Sequence, residues 1–237
     1  MTLKNIETPI GLDPAEAERI LKYAGSETNR GKRLDRISKL FLGRPYAEGS
    51  LGGGPQLPEE FRVSLSAFDC VTFMETVLAL ALAVTIDEFI DNVRRIRYED
   101  GEIDWFHRNH YMVDWASNNG ELGFITNMTS GPDTVEKTCT LSLIEGLQQK
   151  TTTFRYFPTE SYGEVVGRIE TGDLILFVST RETLDVFHTG LLVKRYEDLV
   201  MRHATRTAGA VIEQELVEFM SQNKMAGFIL LRPLCRR

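Results

Sequence analysis

From Pro158 onward the sequence breaks into short apolar runs parted by turn residues: "GDLILFVST", "HTGLLVKR", "DLVMRHAT", "GAVIEQE" and "GFILLRPL". Runs of this length, rich in β-branched residues and bounded by Gly, Asp, Thr or Pro, predict antiparallel strands. The earlier part of the chain has helical texture. In "LDPAEAERILKYA", Asp13 stands where an N-cap would and Pro14 at the first helical position, with Ala17, Ile20, Leu21 and Ala24 at helical spacing. "RLDRISKLFLG" predicts a second helix closed by Gly43, Cys70–Val84 a strongly apolar third, and "TIDEFIDNVRRIRY" a fourth capped by Thr85. "FRVSL" is expected as a short strand, and residues 117–157 give no clear pattern. Helices followed by an antiparallel sheet make the expected class α+β. One domain is expected over 1–237, with 1–60 a helical extension and loop and 61–237 the core.

Composition narrows the function classes. The 237 residues, 42% hydrophobic and 26% charged, suit a globular protein with a real core. A net charge of -7 and no basic stripe argue against nucleic acid or an anionic membrane surface as partner. The longest apolar stretch, Val77–Val84, is too short to cross a bilayer, so no stable membrane insertion is expected. "MTLKNIETPI" lacks the apolar segment of a signal peptide. Three cysteines, Cys70, Cys139 and Cys235, are too few and odd in number for a disulfide framework. There is no CxxC pair, phosphate-binding GxxxxGK[ST] or GxSxG elbow. His107 and His110 form an HxxH with Asp104 and Asp114 nearby, a zinc alternative without the fuller HExxH pattern. No metal and no cofactor is expected.

"SAFDCVTFMETVLALALA", residues 66–83, holds the main chemical candidate. Cys70 shares a helix face with Phe73, Met74, Val77 and Ala81, which is compatible with an inert buried thiol. Its place at a helix N-terminus points the other way: the dipole favours thiolate, and unpaired N–H groups can hold an oxyanion. Just upstream, "RPYAEGSLGGGPQLPEE" is either a linker or an ordered loop beside a site. A nucleophilic thiol needs a base. Two of the four histidines, His188 and His203, are equidistant from Arg195–Tyr196. A hairpin turning there would set them opposite each other on one face. Two ordinary sheet histidines would look the same.

The ordered set "LGRPYAEG…FDCVTFME…TGDLILF…HTGLLV…RHAT" resembles the NlpC-type papain-like cysteine peptidases and amidases from about residue 43 to 205. "DCVTFME" and "RNHYMVDW" are more similar to a subgroup described as N-acetylmuramoyl-L-alanine amidase-like, formerly a domain of unknown function. The resemblance implies a papain-like fold with the nucleophile at a helix start packed on the sheet. It implies Cys70 as nucleophile, His188 as general base and His203 as the residue that orients it. Tyr46 would stand near the oxyanion or substrate, and Asp69 would meet the polar end of the substrate. Arg108, His110, Asp114 and Trp115 are expected to form a cleft wall that selects substrate. The implied partners are peptidoglycan fragments, and the implied bond is the lactyl–L-alanine amide of muropeptides. A γ-D-glutamyl endopeptidase and a non-catalytic muropeptide-binding module stay open beside it. A wall substrate implies a periplasmic or extracellular protein trimmed of its export signal. Cytoplasmic recycling of wall fragments is the alternative.

Overall fold

The computed structural model describes residues 8–196 and 198–234; Cys235 lies outside them. The described chain divides into two compact units, one of residues 8–108 with 204–212, the other of 109–203 with 213–234.

The first unit is helical. Helix α1, Pro14–Ala24, begins where the Asp13 carboxylate accepts the N–H groups of Ala15 and Glu16, and it buries the predicted stripe of Ala17, Ile20, Leu21 and Ala24. Helix α2, Arg30–Lys39, starts earlier than its apolar residues suggest because the Asn29 side chain caps it through the Lys32 N–H. It stops at Lys39, and a turn leads to Gly43, whose φ of +79° suits glycine. Helix α3, Cys70–Leu82, is the centre of the unit, with every residue from Thr72 to Leu80 buried. Helix α4, Ile86–Arg97, is capped by Thr85 as expected and packs along α3. "FRVSL" is a correction: it forms no strand. Arg62 makes a single parallel bridge to Ile10, and no neighbouring strand among the described residues extends the ladder.

The second unit begins with α5, Met112–Glu121, and strand β1, Ile125–Asn127. The segment without a clear sequence pattern then forms a long hairpin of β2, Val135–Leu141, and β3, Lys150–Pro158. One-turn helix α6, Tyr162–Val165, precedes strands β4, Leu174–Val178, β5, Val186–Arg195, β6, Asp198–Thr205, and β7, Ala210–Glu215, of which residues 204–205 and 210–212 are counted with the first unit. Helix α7, Leu216–Gln222, and β8, Gly227–Pro233, complete it. All five predicted strands after Pro158 are present. Among the described residues the sheet runs β2-β3-β8-β4-β5-β6-β7, with β1 also on β8. The registered pairs are antiparallel, so the class is α+β. Phe157, Ile175, Phe177, Leu192, Met201, Phe219 and Phe228 form the apolar layer on one face. Burying each such side chain contributes about 1.5–3 kcal/mol.

Candidate active site

Cys70 is the first residue of α3 and is partly exposed; like the buried Cys139 it forms no disulfide. The helix starts there because of a reciprocal cap. The Asp69 carboxylate accepts the Thr72 N–H at 2.7 Å, and the Thr72 hydroxyl accepts the Asp69 N–H at 3.0 Å. That cap fixes Cys70 at the end where the first turn's N–H groups have no partner within the helix. Asp69 is thereby committed, through one oxygen, to holding the helix start.

Tyr46 reaches the same place by backbone pairing. Phe68 donates to the Pro45 carbonyl at 3.0 Å, and Ala47 donates to Phe68 at 2.9 Å. On its other side Tyr46 donates its N–H to Gly209 at 2.8 Å, and Val211 and Arg44 bridge the same segment. The Tyr46 phenol is pushed up in pKa, first by burial and then by the negative charges of Cys70, Asp69 and Glu48, with Arg206 opposing. The structure brings Tyr46, Asp69 and Cys70 together in the first unit.

Arg108, expected as a cleft wall, has a different position. Its guanidinium donates to Glu59 at 2.8 Å and to the Gly52 carbonyl at 2.9 Å. The second oxygen of Glu59 accepts from the Tyr98 hydroxyl at 2.7 Å. Arg108 thus fastens the glycine-rich loop. That loop is ordered, and Gly53, at φ +84°, lies so close over Glu59 that a Cβ there would come within 2.1 Å of the carboxylate.

In the second unit the Nε2 of His188 and the Nδ1 of His203 are 2.6 Å apart. The expected turn is displaced: Arg195 pairs with Asp198 and Leu191 with Arg202, so the hairpin folds one residue later than Arg195–Tyr196. Continued toward the start of β5, that register makes His203 the diagonal neighbour of His188. Moving a turn by one residue moves the pairing by two, which keeps both histidines on one face, and diagonal rings reach each other. A bulge also shapes the start of β5. Phe177 pairs with His188 but Val178 with Val186, leaving Phe187 as the extra residue. Bulges of this kind re-aim the neighbouring side chain.

The pair is dry. Phe177 and Phe219 stack on the His188 ring at centroid distances of 6.4 and 5.3 Å, and Phe219 meets the edge of His203. Burial, then the neighbouring His203, lowers the His188 pKa to about 3; burial lowers that of His203 to about 4 against a raising contribution from Gln214. Both rings are neutral at pH 7. With a proton on Nε2 shared toward His203, the Nδ1 of His188 is the atom that can accept another.

His110, Asp114 and Trp115 also lie in the second unit. Trp115 is fully buried on α5, a core position with no face for a substrate. Asp114 is ion-paired with Lys150 at 2.5 Å, and His110 is half-buried. His107, in the first unit, lies 3.5 Å from both Glu102 and Asp104, and no group of three His, Cys, Asp or Glu side chains suited to a metal occurs among the described residues. The sequence reading missed the phenylalanines around His188, the bulge and Gln214. Only Gln214 had a signal: two-residue alternation in "GAVIEQE" sets it on one face of a recognised strand.

A family model described as N-acetylmuramoyl-L-alanine amidase-like matches residues 36–228. A Legionella pneumophila protein of solved structure has the same fold, with a TM-score of 0.82 at 21% identity over 94% of this chain and 96% of that one. An N-acetylmuramoyl-L-alanine amidase from Bacteroides uniformis gives a TM-score of 0.78 at 26% identity, over 86% of this chain and 98% of that one. No curated protein matches the chain by sequence.

Proposed function

The chain belongs to the N-acetylmuramoyl-L-alanine amidase-like family, and from that premise we propose that it is an NlpC-type cysteine hydrolase cutting the amide between the lactyl group of N-acetylmuramic acid and L-alanine. The observation that carries the reading is the neutral His188–His203 pair at 2.6 Å, with His203 buried and His188 half-buried. Placing an orienting partner on Nε2 leaves Nδ1 of His188 to act as base. In the proposed reaction that nitrogen takes the Cys70 proton, and the thiolate attacks the amide carbonyl. The oxyanion is held by N–H groups at the start of α3, with Tyr46 beside them. The imidazolium then protonates the leaving amine of alanine, and water attacks the thioester, releasing the lactyl carboxylate and restoring the thiol. Asp69 contributes by fixing the helix start. Arg108 acts through the glycine-rich loop. A wall-derived substrate suits a protein working outside the cytoplasmic membrane.

Defined muropeptides incubated with the wild type, Cys70→Ala and His188→Ala, with products identified by mass spectrometry, test this. Free N-acetylmuramic acid and peptide are expected from the wild type alone. Cleavage after γ-D-glutamate would reassign the bond to a γ-D-glutamyl endopeptidase. Binding without turnover by the wild type would leave a muropeptide-binding module.

A further inference from the structure

A pocket of about 210 Å³ lies wholly within the first unit, beneath the glycine-rich loop and against α3. Its walls include Ser50 of the loop, Arg62, Ser64 and Ser66 of the segment before α3, and Thr72 and Thr76 of α3 itself. Thr72 and Thr76 are four residues apart and share a helix face. At about 100° per residue, Thr72 and Thr76 lie about 160° and about 120° around the helix from the side chain of Cys70. Pocket and thiol therefore occupy different sides of the same helix.

The lining has the composition of a small-ligand site rather than of a packing defect, being hydroxyl-rich with a cation at its edge. The Ser50 Oγ is buried without a hydrogen-bond partner among the described residues. Arg62 holds Glu60 through Nε, at 2.7 Å, and through Nη2, both to the same carboxylate oxygen. Both side chains are 43% exposed, so this ion pair contributes little and exchanges readily. Arg97, deeper in the wall, is different. It is locked to buried Glu75 at 2.8 Å and to the Arg62 carbonyl at 2.6 Å, and it gives the pocket a rigid floor.

We propose that this pocket binds a small polar carboxylate, which displaces Glu60 from Arg62 and hydrogen-bonds to the serine and threonine hydroxyls. A planar guanidinium recognises a carboxylate through two parallel bonds, and Glu60 already shows that Arg62 takes one. The volume is below that of a drug-sized site and suits one sugar acid or a dipeptide. Occupancy does not require hydrolysis at Cys70. It touches Thr72, the residue that fastens Asp69 and the helix start.

The amide resonances of Ser64, Ser66 and Thr76 would be followed by NMR while N-acetylmuramic acid, L-alanyl-γ-D-glutamate or N-acetylglucosamine is added. The first two carry carboxylates, and their relative effects distinguish a sugar acid from a peptide as the source. N-acetylglucosamine has no carboxylate. Saturable shifts with at least one carboxylate and none with N-acetylglucosamine are expected. Arg62→Met should weaken that binding tenfold or more, Glu60→Gln should tighten it several-fold, and Cys70→Ala should leave it unchanged. No shift with either carboxylate, equal shifts with N-acetylglucosamine, or shifts indifferent to both Arg62→Met and Glu60→Gln would overturn the proposal. Loss of the shifts in Cys70→Ala would overturn the separation from the thiol.

Discussion

Two regions of the molecule hold their polar groups in different ways. In the helical unit that carries Cys70 they are fixed by specific partners: Arg97 is paired with Glu75, Glu59 holds both Tyr98 and Arg108, and Asp69 is bound to Thr72. His188 and His203 are instead packed among phenylalanines, and burial sets their protonation. Hydrogen bonding positions a group without greatly altering its chemistry. Dehydration alters the chemistry and leaves position to be fixed by strand register. A thiol that must stand at one point on a helix is served by the first device, and a base that must stay unprotonated by the second.

The contrast can be broken most strongly through activity. If the dry pair supplies the base, His188→Ala should lower muropeptide hydrolysis by about 10²–10⁴-fold with the fold intact by circular dichroism. An unchanged rate would separate the pair from the reaction. The next effect is on stability in the first unit. Arg97→Met strands a buried carboxylate and should cost about 3–5 kcal/mol in urea denaturation. The double variant Arg97→Met/Glu75→Leu should recover much of that loss, and no recovery would show that the side chains matter as packing and not as a pair.

A smaller effect comes from pH. The folded-state pKa values of about 3 and 4 lie below the ordinary histidine value of 6.5, so the unfolded chain takes up protons first as pH falls. The stability due to neutral histidines is present above about pH 6.5 and is lost toward pH 3–4. His203→Gln should flatten the fall of the urea midpoint across that window. Burial raises the Asp185 pKa, which acts in the opposite sense, so the difference between variant and wild type is the quantity to read. The smallest effect belongs to the cap. Asp69→Ala should cost about 1 kcal/mol and Asp69→Asn much less, because asparagine still caps.

What could be read from the sequence followed local chemistry. Asp13 and Thr85 marked their helices because a short oxygen side chain before an apolar stripe has one favourable use there. The strands after Pro158 were visible because β4, β5, β6 and β8 bury runs of consecutive residues, β4 completely so. The β2–β3 hairpin was not, since its residues, such as Thr138 and Thr153, are largely exposed and carry no apolar alternation. Arg62 in "FRVSL" had the composition of a strand but no ladder to join. The histidine pairing was anticipated on the right face and one pair out of register, because Tyr196, at φ +53°, lies inside a turn that closes between Arg195 and Asp198. The residues that dry out His188 could not be placed at all, as Phe177 and Phe219 arrive from β4 and α7 through tertiary packing.

Glu59 has a consequence for proteolysis. The glycine-rich loop contains no regular helix or strand, and its tie to Arg108 passes through the Gly52 carbonyl and this nearly inaccessible carboxylate. A latch with so few points of attachment releases as a unit. Glu59→Ala should therefore turn residues 50–56 from a protected segment into a protease-sensitive one at a single step, and the nick would report the state of a loop that spectroscopy of helices and sheets does not see.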